Sequence, residues 1–301
     1  MVRMRTLADI WNRFWFGPEN PRALAALRIA WGIALFQKIT GCYGLYRLPR
    51  MRFLFPRHEY FSEQSYPVNP EGFSPSYPGL GWLHQPSFEV YHTIENLLLV
   101  LSILFLLGLA FRVVGPLTAL LVGYTFASSP FFYHHHIFQM AIVTSILGFS
   151  RSADRWSLDA LIPGLKRERV GLTRMPRRMI QVLVSIIYFF TSVSKLNHGW
   201  LSGEIIQLFK DSGSFHGHIS PWILDHFSCQ ALGLITVGTE IFLVFGLWIP
   251  RVRILAILAG IGLHLGIDSM MGVGSFSYQM IALYVAFLFG FPDSKEAIHG
   301  E

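Results

Sequence analysis

The stretch Met179-Ile-Gln-Val-Leu-Val-Ser-Ile-Ile-Tyr-Phe-Phe-Thr-Ser-Val-Ser-Lys-Leu-Asn-His198 decides the class of fold, because it is long and apolar enough to cross a membrane. A helix needs roughly 17–25 apolar residues to span a bilayer core of about 30 Å. Of the 301 residues, 52% are hydrophobic and only 14% are charged, and the mean hydropathy is +0.44. Soluble domains carry about 25% charged residues. The composition therefore excludes an ordinary soluble enzyme and predicts an all-α, polytopic membrane bundle.

Comparable apolar stretches recur along the chain and predict about eight transmembrane helices, with seven or nine left open. The third and fourth stretches adjoin at Ser128-Ser-Pro-Phe131, where a bent hairpin is expected. The eight predicted spans cover 22–42, 91–111, 113–130, 134–150, 179–198, 226–249, 253–271 and 274–292.

The segments outside the predicted spans complete the domain organisation. Residues 22–292 form one membrane domain, in which 43–90 is rich in Pro, Tyr, Phe and charge and is expected to be an irregular, partly helical outer cap. Residues 1–21 carry Trp, Phe and Arg in a pattern typical of an interfacial helix on a membrane surface, with a disordered leader as the alternative. Residues 293–301 are a C-terminal tail.

The basic residues predict the orientation, because cytoplasmic loops retain an excess of Lys and Arg. Of the 24 Lys and Arg residues, 16 fall in segments on the side of the N-terminus, five fall on the opposite side and three lie within spans. Both termini are therefore predicted to be cytoplasmic. This distribution accounts for the net charge of +6 without a nucleic-acid partner, and none is expected.

Ionisable groups inside the predicted spans each need a partner or a function, because an unpaired charge at mid-membrane costs about 2.5–3.5 kcal/mol on insertion scales. Similar depths predict two structural ion pairs, Arg28 with Glu240 and Lys38 with Glu95. A functional role for Glu240 is the alternative. The groups concerned are Arg28, Lys38, Glu95, Lys195, Glu240, His264 and Asp268.

Polar residues from four predicted helices converge in the outer third of the membrane. Helix 179–198 carries a polar stripe at Ser185, Tyr188, Ser192 and Lys195, which ends at the outer surface. The neighbouring helices contribute His136, the i,i+4 pair His264 and Asp268, and Tyr278. This convergence is the main functional signal in the sequence.

Such a set of side chains supports acid–base chemistry. A lysine in an apolar site can lose its proton, and a neutral amine is a competent general base or nucleophile. A nearby histidine can share its proton or stabilise an anion, and Asp268 can fix the tautomer of His264. The structural alternative for Lys195 is snorkelling of its ammonium to the headgroups.

Other chemistries have little support in the sequence. The triple histidine 134–136 is better explained by interfacial capping than by a metal site, so no metal is predicted. Cys42 and Cys229 both fall near the outer face, where they either pair as a disulfide or simply pack. No phosphate loop, dinucleotide fingerprint or nucleophile elbow is present.

Three spaced motifs resemble a known family. The pattern Tyr-Phe-x5-Lys-Leu-x3-Trp-x2-Gly from Tyr188 to Gly203 is similar to the signature helix of vitamin K-dependent γ-glutamyl carboxylase and its bacterial relatives, the horizontally transferred transmembrane (HTTM) domain family. His136 followed by Trp156-Ser-Leu-Asp159 fits the same family, as does His264 leading into 274–280. The resemblance covers roughly residues 20–292 and implies a multi-pass protein of a bacterial cytoplasmic membrane.

By this resemblance, Lys195 matches the lysine that deprotonates the hydroquinone, and His136 matches the histidine implicated in stabilising later intermediates. The family pattern departs at Ser194, where the carboxylases have the first of two paired lysines. The large extramembrane domain of the carboxylases also has no counterpart in the resemblance, so protein γ-carboxylation is not expected. Residues expected to bind substrate or support the site are Tyr188, Asn197, His198, Trp200, Glu240, His264, Asp268 and Tyr278.

The sequence supports two classes of function. The first is a membrane enzyme using lysine acid–base chemistry on an isoprenoid or quinone-like lipid, with a reduced quinone as the candidate cofactor and membrane lipids as partners. A variant of this class is a terpene cyclase in which Asp268 or Glu240 supplies a carboxylic acid. The second class is a non-catalytic membrane partner in toxin maturation, immunity or assembly. The oligomeric state stays open.

Overall fold

The computed structural model describes residues 6–40, 76–163, 172–217 and 219–290. Across these ranges the regular secondary structure is helical, and the one extended pairing is an isolated antiparallel bridge between Pro18 and Thr173. The all-α prediction is confirmed for this part of the chain.

The described residues form thirteen α-helices and two short 3-10 turns, at Pro130–Phe132 and Asp159–Leu161. The chain divides into two compact units, with boundaries after Met179 and after Phe287. The helices are α1 (Leu7–Phe16), α2 (Pro21–Thr40), α3 (Phe88–Leu107), α4 (Phe111–Ala127), α5 (His135–Gly148), α6 (Met175–Lys195), α7 (His198–Leu201), α8 (Glu204–Asp211), α9 (Ser220–His226), α10 (Cys229–Gly246), α11 (Arg253–Met271), α12 (Ser275–Leu283) and α13 (Val285–Leu288).

Four of the described helices, α2, α3, α10 and α11, are long and apolar enough to cross a membrane. Two shorter apolar helices cover Phe111–Ala127 and Ser275–Leu288. Helix α6 has 21 residues, but its polar stripe and basic first turn lower its hydropathy. The chain is thus a helical membrane protein with four candidate spans, and the count of about eight stays a prediction.

The expected outer cap lies only partly within the described residues. Residues 41–75 fall outside them, as does the C-terminal tail from 291 onwards. Residues 76–87 are irregular, as predicted, but α3 begins at Phe88, which is earlier than expected. Ser87 explains this start, because its side chain accepts a hydrogen bond from the backbone N–H of Val90 and so caps the helix.

Small residues allow close helix packing in the first unit. Helix α2 packs on α3, α3 on α4 and α4 on α5, and α5 returns to α2. A Cβ atom at Gly32 of α2 would lie 2.8 Å from the Cα of Leu106, and one at Gly115 of α4 would lie 2.5 Å from the carbonyl oxygen of Gly148. Glycine at such positions lets membrane helices approach closely.

The Arg28 side chain of α2 caps the C-terminal end of α3. Its guanidinium donates to the carbonyl oxygens of Phe105 at 3.3 Å and Leu106 at 3.1 Å, and also to the carbonyl oxygen of Trp156. The side chain is fully buried. Phe105 and Leu106 lie in the last turn of α3, where carbonyl oxygens lack the N–H donors of a following turn. The Phe105 oxygen also accepts from the backbone N–H of Gly108 at 3.2 Å, and the buried cation supplies the further donors. Arg28 therefore has a structural role within its own unit.

Helix α1 is attached to the start of α6. Glu19, just after α1, accepts two hydrogen bonds from the Arg177 guanidinium, at 2.8 Å and 2.7 Å, and both side chains are fully buried. Arg177 also donates to the carbonyl oxygen of Phe289 at 2.6 Å. The apolar side chains of Leu7 and Trp11 on α1 stay exposed. The helix itself is observed, and its position on a membrane surface stays a prediction.

In the second unit, the polar stripe of α6 points into the unit. Gln181 donates to the carbonyl oxygen of Ala286 at 2.8 Å, and Ser185 accepts a hydrogen bond from the indole N–H of Trp248 at 2.7 Å. Helix α10 packs on α11, α11 on α12, and the short helices α7 and α8 pack on α10. This arrangement brings the C-terminal end of α6 to Glu240 of α10 and its middle to His264 of α11.

Candidate active site

Lys195, the last residue of α6, forms an ion pair with Glu240 of α10. Its Nζ lies 2.7 Å from Oε1 and 2.9 Å from Oε2 of the carboxylate. The Lys195 side chain is 17% exposed and that of Glu240 is 8% exposed. Lys195 Nζ also lies 5.2 Å from the centre of the Trp200 ring, a cation–π contact. The amine is therefore held inside the second unit.

The predicted partner of Glu240 was Arg28, and that prediction is wrong. Glu240 is bonded to Lys195, and Arg28 is bonded to backbone carbonyl oxygens in its own unit. Equal depth along two helix axes does not determine which helices are neighbours, which is why the topology argument chose the wrong cation. The predicted Lys38–Glu95 pair stays a prediction.

A chain of hydrogen bonds runs through three buried side chains next to this pair. The Tyr188 hydroxyl lies 2.7 Å from Nε2 of His264 and is also hydrogen-bonded to the Tyr284 hydroxyl. All three residues are at most 3% exposed. Lys195 interacts electrostatically with the His264 ring, and Glu240 interacts electrostatically with the hydroxyl groups of Tyr188 and Tyr284. The ion pair and the chain form one group, here called the lysine–tyrosine cluster: Lys195, Glu240, Tyr188, His264 and Tyr284.

The residues following Lys195 hold the turn at the end of α6. The Asn197 side chain accepts from the backbone N–H of Trp200 at 3.2 Å and donates to the carbonyl oxygen of Ser194 at 2.8 Å. His198 is exposed, with its Nδ1 3.5 Å from Oε1 of Glu204. Of the residues predicted here, Trp200 contacts the amine, Asn197 caps α7, and His198 faces outward.

Asp268 and Tyr278 meet at the turn between α11 and α12. The Asp268 carboxylate accepts from the backbone N–H of Gly274 at 2.6 Å and from the Tyr278 hydroxyl at 3.0 Å. The expectation that Asp268 fixes the tautomer of His264 is wrong, because Nε2 of the ring is bonded to Tyr188 and Nδ1 has no hydrogen-bond partner among the described residues. The carboxylate stabilises the turn.

His136 belongs to the first unit, near the start of α5. Its ring stacks on that of His134, with 5.3 Å between centroids, and Lys38 acts on it electrostatically. Its expected approach to Lys195 would join the two units, so it stays a prediction. The disulfide alternative involves Cys42, which lies outside the described residues. Cys229 donates from its Sγ to Oε1 of Gln207 at 3.3 Å.

Tyr284 is the one member of the cluster that the sequence analysis missed. It lies eight residues before the end of the predicted span 274–292, and a tyrosine in an apolar helix is an ordinary core residue. Its position supplies a faint signal, because Phe276, Met280 and Tyr284 are four residues apart and share one face of a helix. No group of three or more His, Cys, Asp or Glu suited to a metal ion occurs in the described ranges.

Comparison with known proteins supplies one family. The family model of the HTTM domain matches residues 16–290, which is most of the chain. No curated protein and no solved structure shows a significant match. The family match, the apolar helices and the motif around Lys195 agree, and the chain belongs to the HTTM domain family, a membrane-associated family related to carboxylase-like proteins.

Proposed function

We propose that this protein is an integral membrane enzyme in which Lys195 performs acid–base chemistry on an isoprenoid or quinone-like lipid. The observation that carries the proposal is the ion pair of Lys195 with Glu240, at 2.7 and 2.9 Å, inside a helical membrane unit. Buried ionisable groups in membrane proteins mark functional sites by default. The resemblance of the surrounding motif to the carboxylase signature helix supports the choice of lysine as the base.

The ion pair places a proton acceptor, the Glu240 carboxylate, next to the Lys195 ammonium group. Two buried charges are costly in a medium of low dielectric constant, and transfer of one proton from Lys195 to Glu240 removes both of them. The transfer leaves a neutral amine next to a neutral carboxylic acid. The amine then takes the hydroxyl proton of the lipid: an N–H bond forms, the O–H bond breaks, and the lipid becomes an oxyanion beside an ammonium group. Glu240 is then the nearest group that can return a proton.

The surroundings of the amine favour a lipid substrate. On the outer half of α6, Phe189 is 49% exposed, Phe190 is 64% exposed and Val193 is 49% exposed. A lipid diffusing in the bilayer meets these apolar side chains within two turns of Lys195. We place the site in the outer leaflet, with both termini cytoplasmic and a reduced quinone as the candidate cofactor.

The terpene-cyclase alternative has less support. It needs a carboxylic acid free to protonate a double bond. Asp268 already accepts hydrogen bonds from Gly274 and Tyr278, and Glu240 is bonded to Lys195. The non-catalytic alternative, in which the ion pair only stabilises the fold, is decided by the experiment that follows.

The test compares Lys195→Met with the double variant Lys195→Met/Glu240→Gln in purified protein reconstituted in nanodiscs. Turnover of extracted membrane lipids is followed by mass spectrometry, and folding by thermal unfolding. Lys195→Met leaves a buried carboxylate unpaired, which costs about 3–5 kcal/mol, and the double variant removes that charge. The proposal expects the double variant to fold like the wild type with turnover reduced roughly 10²–10⁴-fold. Lys210→Met, at an exposed lysine of α8, is the matched control.

Two results would contradict the proposal. In one, the folded double variant keeps the turnover of the wild type, which would make Lys195 structural. In the other, neither the wild type nor the Lys210→Met control changes any lipid in the extract. The second result would support the non-catalytic class.

A further inference from the structure

The hydrogen-bond chain in the lysine–tyrosine cluster ends at a ring nitrogen without a partner. Tyr188 bridges the Tyr284 hydroxyl and Nε2 of His264. The other nitrogen, Nδ1 of His264, is buried and has no hydrogen-bond partner among the described residues. In folded proteins the large majority of buried side-chain polar atoms have a hydrogen-bond partner. The orphaned nitrogen therefore points to a partner from outside the described chain.

The available protons determine the tautomer of His264. Each tyrosine hydroxyl has one proton to donate, and a neutral imidazole has one N–H. If Tyr284 donates to Tyr188 and Tyr188 donates to Nε2, every hydroxyl proton is used and the ring proton is on Nδ1. If Nε2 donates to Tyr188 instead, the Tyr284 proton has no acceptor and Nδ1 has no donor. The first arrangement leaves one group unsatisfied and the second leaves two, so the first is favoured.

Other buried polar groups without partners in the described residues lie on α12, the helix whose Phe276 contacts the same histidine. His264 contacts the ring of Phe276, with 5.6 Å between centroids, and its ring centroid lies 6.3 Å from that of Tyr284. Tyr284 directly follows α12 and caps its C-terminal end, and Ser277 precedes it by seven residues, about two helical turns, so the two lie on the same side of this helix. The Ser277 hydroxyl, like the side chains of Ser275 and Gln279, is buried without a partner in the described residues.

We propose that Nδ1–H of His264 donates a hydrogen bond to an oxygen atom of the bound lipid, with the Ser277 hydroxyl as a second contact. The Tyr284–Tyr188 chain keeps the ring neutral and its proton on Nδ1. A single neutral donor beside the edge of Phe276 recognises a carbonyl or phenol oxygen on an apolar ring. A pure hydrocarbon gives it no acceptor. This inference rests on the proposed function and restricts the substrate to lipids that carry an oxygen atom.

The first arm of the test needs no substrate or activity. Nitrogen-15 NMR of the full chain, labelled at histidine and reconstituted in nanodiscs, distinguishes a protonated from an unprotonated ring nitrogen, and His264→Phe assigns the signals. We expect a protonated Nδ1 and an unprotonated Nε2 on His264. His226 is an internal reference, because its Nδ1 lies 2.7 Å from the carbonyl oxygen of Trp222 and must carry the proton. A proton on Nε2 of His264 would overturn the inference, whatever the enzyme does.

The second arm measures binding. Ubiquinone-1 is the probe, and prenylbenzene, which has a ring and prenyl tail but no oxygen, competes with it in a tryptophan-quenching titration. We expect His264→Phe to weaken the affinity for ubiquinone-1 at least tenfold and to leave the affinity for prenylbenzene unchanged. The variant His226→Phe, at an exposed histidine, should change neither affinity.

The outcomes of the second arm separate this inference from the proposed function. Equal binding by His264→Phe and the wild type would overturn the role of His264 and leave a lysine-dependent turnover standing. If the wild type bound prenylbenzene as tightly as ubiquinone-1, the inference would also be overturned, because the oxygen atoms of the quinone would then contribute nothing to the affinity. Loss of turnover in the Lys195 variants with unchanged ubiquinone-1 binding, together with weaker ubiquinone-1 binding by His264→Phe, supports both proposals.

Discussion

The Tyr284 hydroxyl lies against the backbone of Gly260, so closely that a Cβ atom added at Gly260 would overlap the hydroxyl oxygen. The hydrogen-bond chain from Tyr284 to His264 therefore passes α11 at a position without a side chain. Gly260 is one helical turn before His264 on the same face of that helix. Gly260 makes room for the Tyr284 hydroxyl, and His264, one turn later, lies at the other end of the same hydrogen-bond chain.

We expect Gly260→Ala to displace the Tyr284 ring and break its hydrogen bond to Tyr188. Tyr284 is buried, so its ring cannot move without displacing neighbours, and overpacking of this kind costs about 1–3 kcal/mol. Thermal unfolding of the purified protein measures the change. Gly262→Ala and Gly266→Ala on the same helix are matched controls, because nothing lies within 4 Å of a Cβ atom at either position. Equal unfolding temperatures for all three variants would contradict the close contact.

Asp159 has a defined structural role at the start of α4. Its carboxylate accepts hydrogen bonds from the backbone N–H groups of Ala110 at 2.7 Å and Phe111 at 2.8 Å. Asp159→Asn replaces one acceptor by a donor that faces an N–H group, so we expect a loss of about 0.5–2 kcal/mol of stability. Asp225→Asn, at an exposed position on α9, removes the same charge without a cap and should change stability little. If both variants unfold at the same temperature, the cap contributes nothing.

Asp268→Asn separates a structural role from an acid role. Asparagine can still accept from the N–H of Gly274, and its amide can donate to the Tyr278 oxygen, so the turn is kept. We expect turnover of membrane lipids within a few-fold of the wild type. A carboxylic acid that protonates the substrate would instead lose roughly 10²–10⁴-fold on this change. Such a loss in a folded variant would revive the cyclase alternative.

The sequence predicted those parts of the site that depend on position along one helix. The period of Tyr188, Ser192 and Lys195 correctly indicated a single polar stripe, because helical geometry fixes which side chains share a face. It could not determine lateral neighbours, so Glu240 was assigned to Arg28. It also missed Tyr284, whose role depends on a glycine on another helix. Contacts between helices depend on how the helices pack, and the spacing of residues within one helix does not determine that packing.

The boundaries of two predicted spans differ from the helices in the structure. Helix α3 begins at Phe88 because Ser87 caps it, although hydropathy alone placed the start three residues later. The predicted span 274–292 is divided at Tyr284 into α12 and α13. Hydropathy reports how a segment partitions into a membrane, whereas caps and local hydrogen bonds decide where its helix begins and ends.

The central claim, that the Lys195 amine is the base, is tested most directly by chemical rescue. Lys195→Ala, combined with Glu240→Gln to avoid an unpaired carboxylate, leaves room for a small amine where the lysine side chain lay. Turnover of membrane lipids is measured with added ethylamine at increasing concentration. The account predicts that turnover rises with the concentration of the free amine and returns to baseline when tetramethylammonium, which carries the charge but cannot accept a proton, replaces it. Turnover that ethylamine does not raise, in a variant that folds like the wild type, would contradict it.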